Sequence, residues 1–157
     1  MNKKLTIEYQ EFESWSALDQ TEQDLVHKAY KICAKAYAPY SKFQVGAVVL
    51  LEDGTEVAGN NQENIAYPSG LCAERVALFY TGANYPDAVI KTLVIVAKGD
   101  LIQPDDCVSP CGSCRQVIAE SESRQQTPIR VILVSESGRT FVFDKGTDLL
   151  VFAFGMH

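Results

Sequence analysis

No run among the 157 residues approaches the 18 or so consecutive apolar residues that cross a membrane. The N-terminal MNKKLTIEYQEFES has neither the apolar core nor the small-residue cleavage site of a signal peptide, so the chain is expected in the cytoplasm with no membrane partner. Cations are scarce: 14 Lys and Arg stand against 20 Asp and Glu, a net charge of −6. That balance lacks the clustered basic face that a nucleic-acid backbone requires, and small solutes fit better as partners. Histidine is scarcer still, with only His27 and His157 to offer an imidazole to a metal. Internal repeats, low-complexity tracts and linkers are also missing.

What remains is a chain with 46% hydrophobic residues, long enough to bury roughly two-thirds of its unfolded surface around one core. Residues 1–157 are expected to form a single domain, with 1–20 as an N-terminal arm, floppy or added to a sheet edge.

Apolar residues at Leu25, Ala29, Ile32 and Ala36, with Val26, Cys33 and Tyr37 alongside, predict a helix over Thr21–Tyr37 that stops at Ala38-Pro39. The run Val45–Leu51, the Glu52-Asp53-Gly54-Thr55 turn and the extended Glu56–Gly59 predict a hairpin, followed by a loop over Asn61–Gly70. A mostly buried helix is expected from Cys72 to about Thr81, closed by Gly82, and then a strand at Leu93–Ala97 buried on both faces. A second helix over Gly112–Ser121 is followed by strands at Ile129–Val134 and Thr140–Phe143 and a short helix near Thr147–Phe152. Helices alternating with buried strands describe an α/β domain whose mixed sheet is covered on both faces.

Five cysteines in a reducing compartment argue against a disulfide framework. Cys111-Gly112-Ser113-Cys114 alone reads equally as a redox dithiol or as half a zinc site. Cys72 changes that reading, because it also opens a predicted helix, and helix N-termini favour the thiolate form that binds metal. Three sulfurs leave a tetrahedral Zn²⁺ one open position, the arrangement of a catalytic site. A structural site would need a fourth ligand, and Cys107 is the candidate for a closed four-thiolate alternative. Cys33 falls on the apolar stripe of the first helix and reads as a small buried hydrophobe.

Glu74, two residues beyond Cys72, is placed to move protons for a zinc-activated water, although by itself it could merely complement the helix dipole. Three thiolates and Zn²⁺ sum to −1, and Arg75 supplies a cation to offset that charge; its bland alternative is a surface arginine.

Cys72-Ala73-Glu74 paired with Pro110-Cys111-Gly112-Ser113-Cys114 resembles the zinc-dependent nucleoside deaminases. The stretches Tyr37–Ala47 and Asn61–Pro68 are similar to the small homotetrameric cytidine deaminases. The resemblance, which runs from about Ala36 to Phe154, implies a three-layer α/β/α fold with a mixed five-stranded sheet and one zinc ion per chain. It implies hydrolysis of cytidine and 2′-deoxycytidine to the uridines, with release of ammonia, in pyrimidine salvage. By the same resemblance Phe43 lines the pyrimidine pocket, Asn61 and Glu63 bind the ribose hydroxyls, and Ala73 contacts substrate. Tyr67 and Phe154 would work across subunit interfaces of a homotetramer. Taken from residue type alone, Asn61 and Glu63 are turn residues and Phe43 is core. Two departures stand out: Leu149-Leu150-Val151 lacks the proline common at that point of the family, and the N-terminal arm is longer than a minimal member needs. A deaminase of a nucleoside-like antibiotic of the blasticidin type and a non-catalytic zinc module are the alternatives.

Overall fold

The computed structural model describes residues 1–155, which leaves His157 outside the described residues. Six strands form one mixed sheet: β1 (Gln10–Phe12), β2 (Gln44–Leu51), β3 (Glu56–Asn60), β4 (Ile90–Lys98), β5 (Arg130–Val134) and β6 (Thr140–Phe143), in the order β1-β6-β5-β4-β2-β3. Only β4 and β5 pair in parallel, joined through helix α3 (Gly112–Gln125). Helix α1 (Gln20–Cys33) covers one face, and helices α2 (Ala73–Asn84) and α3 cover the other, giving three layers.

The continuous apolar strands make sense in that sandwich. On β2, Ala47, Val49 and Leu51 join the cluster under α2 and α3, while Val48 and Leu50 join the one under α1. β4 divides the same way, with Leu93, Ile95 and Ala97 opposite Val94 and Val96. Because both faces are apolar, alternation alone leaves the register weakly specified. Small residues fix it. A Cβ on Gly46 would lie 2.2 Å from the Ala29 carbonyl oxygen of α1, and one on Gly59 would lie 2.7 Å from the Ala77 nitrogen of α2. The hairpin therefore has one setting in which both helices reach the sheet.

Asp19 caps α1, its carboxylate accepting from Glu22 N at 2.9 Å, and Leu25, Val26, Ala29 and Cys33 form the buried stripe. The helix ends at Cys33, four residues short of the expected Tyr37. Tyr37 is instead taken up by a loop: its N–H donates to Asn61 O (3.1 Å) and its carbonyl accepts from Glu63 N (2.9 Å). A non-local bridge thus overrides the helical period. Gly82, expected to close the helix that begins at Cys72, lies inside α2. It faces open space, and Tyr85 N still reaches Thr81 O at 2.8 Å. Helix α3 runs on from Ser121 to Gln125 and is closed by Gln126 in the left-handed region (φ 58°). Near the C-terminus a single 3-10 turn, Gly146–Leu149, replaces the helix expected over Thr147–Phe152. Buried Glu122 ties these parts together, accepting from Ile129 N (2.8 Å), Gly146 N (2.6 Å) and the Thr147 hydroxyl (2.6 Å).

The expected five-stranded sheet gains its sixth strand from the N-terminal arm. Gln10-Glu11-Phe12 is too short and too polar to announce itself. It becomes a strand because β6 offers an open edge, on which it pairs antiparallel from Gln10↔Val142 to Phe12↔Thr140. Tyr9 stacks on Phe143 at 5.4 Å, Glu11 pairs with Arg139, and Trp15 N donates to Gly138 O at 3.1 Å.

Candidate active site

Helices α2 and α3 both begin at the same end of the sheet, and each has a cysteine at its N-cap, Cys72 and Cys111, whose sulfur makes no capping hydrogen bond. Those sulfurs are left for other work. Cys72 Sγ lies 4.0 Å from Cys111 Sγ, which lies 3.5 Å from Cys114 Sγ, and all three fall within 4.8 Å of one another. Zinc–sulfur bonds of about 2.3 Å in a tetrahedron put sulfurs roughly 3.8 Å apart, so the spacing and the donor set both fit zinc. Among the described residues this is the one group of three or more metal-binding side chains.

The other candidate ligands stay out of it. Cys107 packs against the core instead of joining the cluster, and burial pushes its thiol up to about 11. That leaves the closed four-thiolate alternative without its fourth sulfur. Cys33 is fully buried, 3.3 Å from Gln44 O, and burial pushes it also up to about 11. His27 meets the ring of Trp15 edge-on at 4.8 Å.

The hydrogen bond from Cys114, and then the Arg75 guanidinium, draw the Cys72 thiol down to about 5 against the opposing effect of burial. The thiol of Cys114 moves up, through that same hydrogen bond and then burial. Arg75 Nη2 reaches Cys72 Sγ at 3.6 Å, and the contact raises the guanidinium's own pKa. Its Nε is buried and has no partner among the described residues.

Glu74 is 5% exposed, which removes the solvent-facing dipole role considered above. Burial first, with the Cys72 charge adding to it, pushes its carboxyl up to about 7. It shares a cavity of about 640 Å³ with Cys72, Cys111, Arg75, Phe43, Asn61, Glu63 and Tyr67. The loop carrying Asn61 and Glu63 is fastened to the start of α2 by a two-way bridge, Gln62 N to Leu71 O and Leu71 N to Gln62 O, both 2.9 Å. The predicted sugar-binding residues and the sulfur cluster thereby become neighbours.

Asn61 and Glu63 also do structural work that their positions in the sequence do not reveal. Asn61 accepts from Val45 N (2.8 Å) and donates to Phe43 O (2.9 Å), clamping the segment that carries Phe43. Glu63 accepts from Tyr40 N (2.9 Å), Ser41 N (3.3 Å) and the Ser41 hydroxyl, which holds its carboxyl below the usual range. Half-buried Phe43 forms part of the wall, and Tyr67, 75% exposed, stands at the mouth, meeting Tyr40 edge-on with ring centroids 6.1 Å apart. Ala73 is fully buried at the start of α2 and does not line the cavity. Phe154 lies elsewhere, 90% exposed beside α3, its carbonyl accepting from Gln116 at 2.7 Å. Arg115 and Gly59 also shape the site, and neither residue type announces such a role in the sequence. Arg115 had a signal, its place directly after the second cysteine of the C-x-x-C pair.

Residues 19–128 match the model of the cytidine and deoxycytidylate deaminase zinc-binding region. The chain belongs to that family. It is 46% identical over 98 residues to a cytidine deaminase of Sporosarcina psychrophila, covering 62% of this chain and 68% of that one. A cytidine deaminase of Halalkalibacterium halodurans is 43% identical over 98 residues, covering 62% and 70%. Among solved structures, the cytidine deaminase of Burkholderia pseudomallei superposes with a TM-score of 0.73 at 35% identity, over 84% of this chain and 98% of that one. The enzyme from Mycobacterium tuberculosis gives 0.62 at 33%, over 88% and 100%.

Proposed function

We propose that this chain hydrolytically deaminates cytidine and 2′-deoxycytidine to the uridines, releasing ammonia. The observation that carries the reading is a buried carboxylate, Glu74, opening onto the same cavity as a cluster of three sulfurs with zinc spacing. Cys72, Cys111 and Cys114 would hold one zinc ion per chain. When bound, the ion supplies a Lewis acid that makes the attacking water acidic near neutral pH.

The chain's own residues do the rest. Glu74 takes a proton from the attacking water and delivers it to ring nitrogen N3 as oxygen adds to C4. It then takes the remaining hydroxyl proton and delivers it to the amine, the C4–N bond breaks, and ammonia leaves. A carboxyl poised near 7 suits both directions of transfer. Arg75 offsets the excess negative charge of the sulfurs. Phe43 contacts the base. Asn61 and Glu63, already oriented by their backbone partners, face the ribose hydroxyls with their remaining hydrogen-bonding capacity. Arg75 is the one cation lining the cavity among the described residues, and it is engaged with Cys72. Two carboxylates and no free cation favour an uncharged nucleoside over a nucleotide phosphate.

In this reading the whole chain acts as one catalytic domain with residues 1–20 as an appended arm, in the cytoplasm. Exposed Tyr67 and Phe154 support a homotetramer in which each site is completed by a neighbour. No helix among the described residues is long and apolar enough to cross a membrane. The test is ultraviolet turnover of cytidine, deoxycytidine, deoxycytidylate, cytosine, adenosine and blasticidin by zinc-loaded protein. Turnover of the first two, lost to a chelator and restored by zinc, is the expected result. Inactivity on both overturns the proposal.

A further inference from the structure

The three sulfurs are not equally well held. Cys114 sits fully buried within the first turn of α3, and Cys72 is fixed by the Gln62–Leu71 bridge immediately before it. Cys111 is exposed and ends a long irregular connection from Gly99 to Pro110. Its predecessor, Pro110, has no N–H, so that residue can be pinned by hydrogen bonding only through its carbonyl.

Arg115 takes that carbonyl. Its Nε donates to Pro110 O at 2.8 Å, its Nη2 to the Ser109 hydroxyl at 2.5 Å and its Nη1 to Leu149 O at 2.9 Å, while its backbone N–H reaches Cys111 O at 2.9 Å. One side chain thus grips both residues before Cys111 and anchors them to the 3-10 turn near the C-terminus. The planar guanidinium supplies three donors in fixed directions, which a lysine ammonium does not.

We propose that Arg115 is a positioning residue for zinc: it holds the Ser109–Pro110–Cys111 segment so that the Cys111 sulfur meets the other two. The inference rests on the deaminase reading for the presence of zinc, and its test reads the metal rather than turnover. Zinc-loaded parent, Arg115→Met, Arg115→Lys and Ser109→Ala are compared by competition with a chromogenic chelator, by the visible spectrum after cobalt substitution and by urea midpoint. Losing the partners that orient a metal ligand costs roughly 10- to 100-fold in affinity. Arg115→Met is expected to fall in that range with weakened cobalt–thiolate bands, Arg115→Lys to recover a small part, and Ser109→Ala to show the smallest loss. If the urea midpoint falls while affinity and cobalt spectrum match the parent, Arg115 only staples the fold and the proposal is wrong. Should Arg115→Met fail to fold, the lysine and Ser109→Ala variants decide on the same readouts. A parent chain that binds no zinc through three thiolates overturns the deaminase reading itself, a result distinct from equal affinities across the series.

Discussion

Arg75 Nη2 lies 3.6 Å from Cys72 Sγ, three residues back on the same helix, while Arg75 Nε is buried with no partner among the described residues. A cation held this close to one sulfur withdraws charge from a set of ligands that outweighs the zinc by one negative unit. A hydrogen bond involving a charged group contributes about 1.5–3 kcal/mol, on the order of 10- to 100-fold in rate if it acts at the transition state. Arg75→Gln is therefore expected to lower kcat by that factor. Turnover normalised to bound zinc checks it, and a variant equal to the parent in both returns Arg75 to an ordinary packing role.

Glu74 gives a prediction with a sign. Its carboxyl rises from 4.5 to about 7 in the fold, chiefly through burial. A group that binds its proton more tightly when folded supports the fold fully below about 4.5, and that support is lost as pH rises through about 7. Glu74→Gln keeps the neutral shape at every pH. In chelator-stripped protein the variant should melt with the parent at about pH 4.5 and increasingly above it toward about pH 8. Zinc-loaded Glu74→Gln should lose roughly 10²- to 10⁴-fold in turnover while retaining the metal. Parallel melting curves across the pH range contradict the burial argument, and near-normal turnover contradicts the proton-transfer role.

What the sequence disclosed follows from how local each signal is. The Cys72, Glu74, Cys111 and Cys114 set was legible because helix N-termini and metal-binding residue types are local features, and the structure brings the sulfurs within 4.8 Å. Strands β2, β4 and β5 were legible as apolar runs. The end of α1 was not, since the competitor for Tyr37 is a loop 24 or more residues away. For the same reason the N-terminal arm reads equally as floppy or as an edge strand: only the edge of β6 makes Gln10–Phe12 extended. The paired backbone duties of Asn61 and Glu63 also depend on partners remote in the chain.

Gly59 is a tight-packing position of this hidden kind, and it separates close approach from flexibility. A Cβ there would stand 2.7 Å from Ala77 N, 2.8 Å from Ala73 O and 3.1 Å from Val76 Cβ. Two of these are helix backbone, so α2 itself must move, carrying Cys72 and Glu74. Overpacking costs about 1–3 kcal/mol. Gly59→Ala is expected to lose that much in urea titration and to lose turnover per folded molecule as well. Gly82→Ala, on the open side of the same helix, should instead gain about 0.5–1 kcal/mol with turnover unchanged. Equal behaviour of the two variants would deny that β3 sets the position of α2.

The N-terminal arm lies at the opposite end of the sheet from β3, so its contribution should separate from catalysis. Deleting residues 1–13 removes the three β1 pairs, the Glu11–Arg139 contact and the Tyr9 stack on Phe143. The ion pair is solvent-exposed and adds little. The larger consequence is geometric: β6 becomes a bare edge, its unpaired backbone groups open to a strand from another molecule. The truncated chain should bind zinc and turn over cytidine within about twofold of the parent, a difference of only about 0.4 kcal/mol in barrier. It should also scatter more light as its concentration rises. Loss of turnover without added scattering would mean that the arm supports the site through the sheet; added scattering with turnover preserved assigns it to guarding the edge.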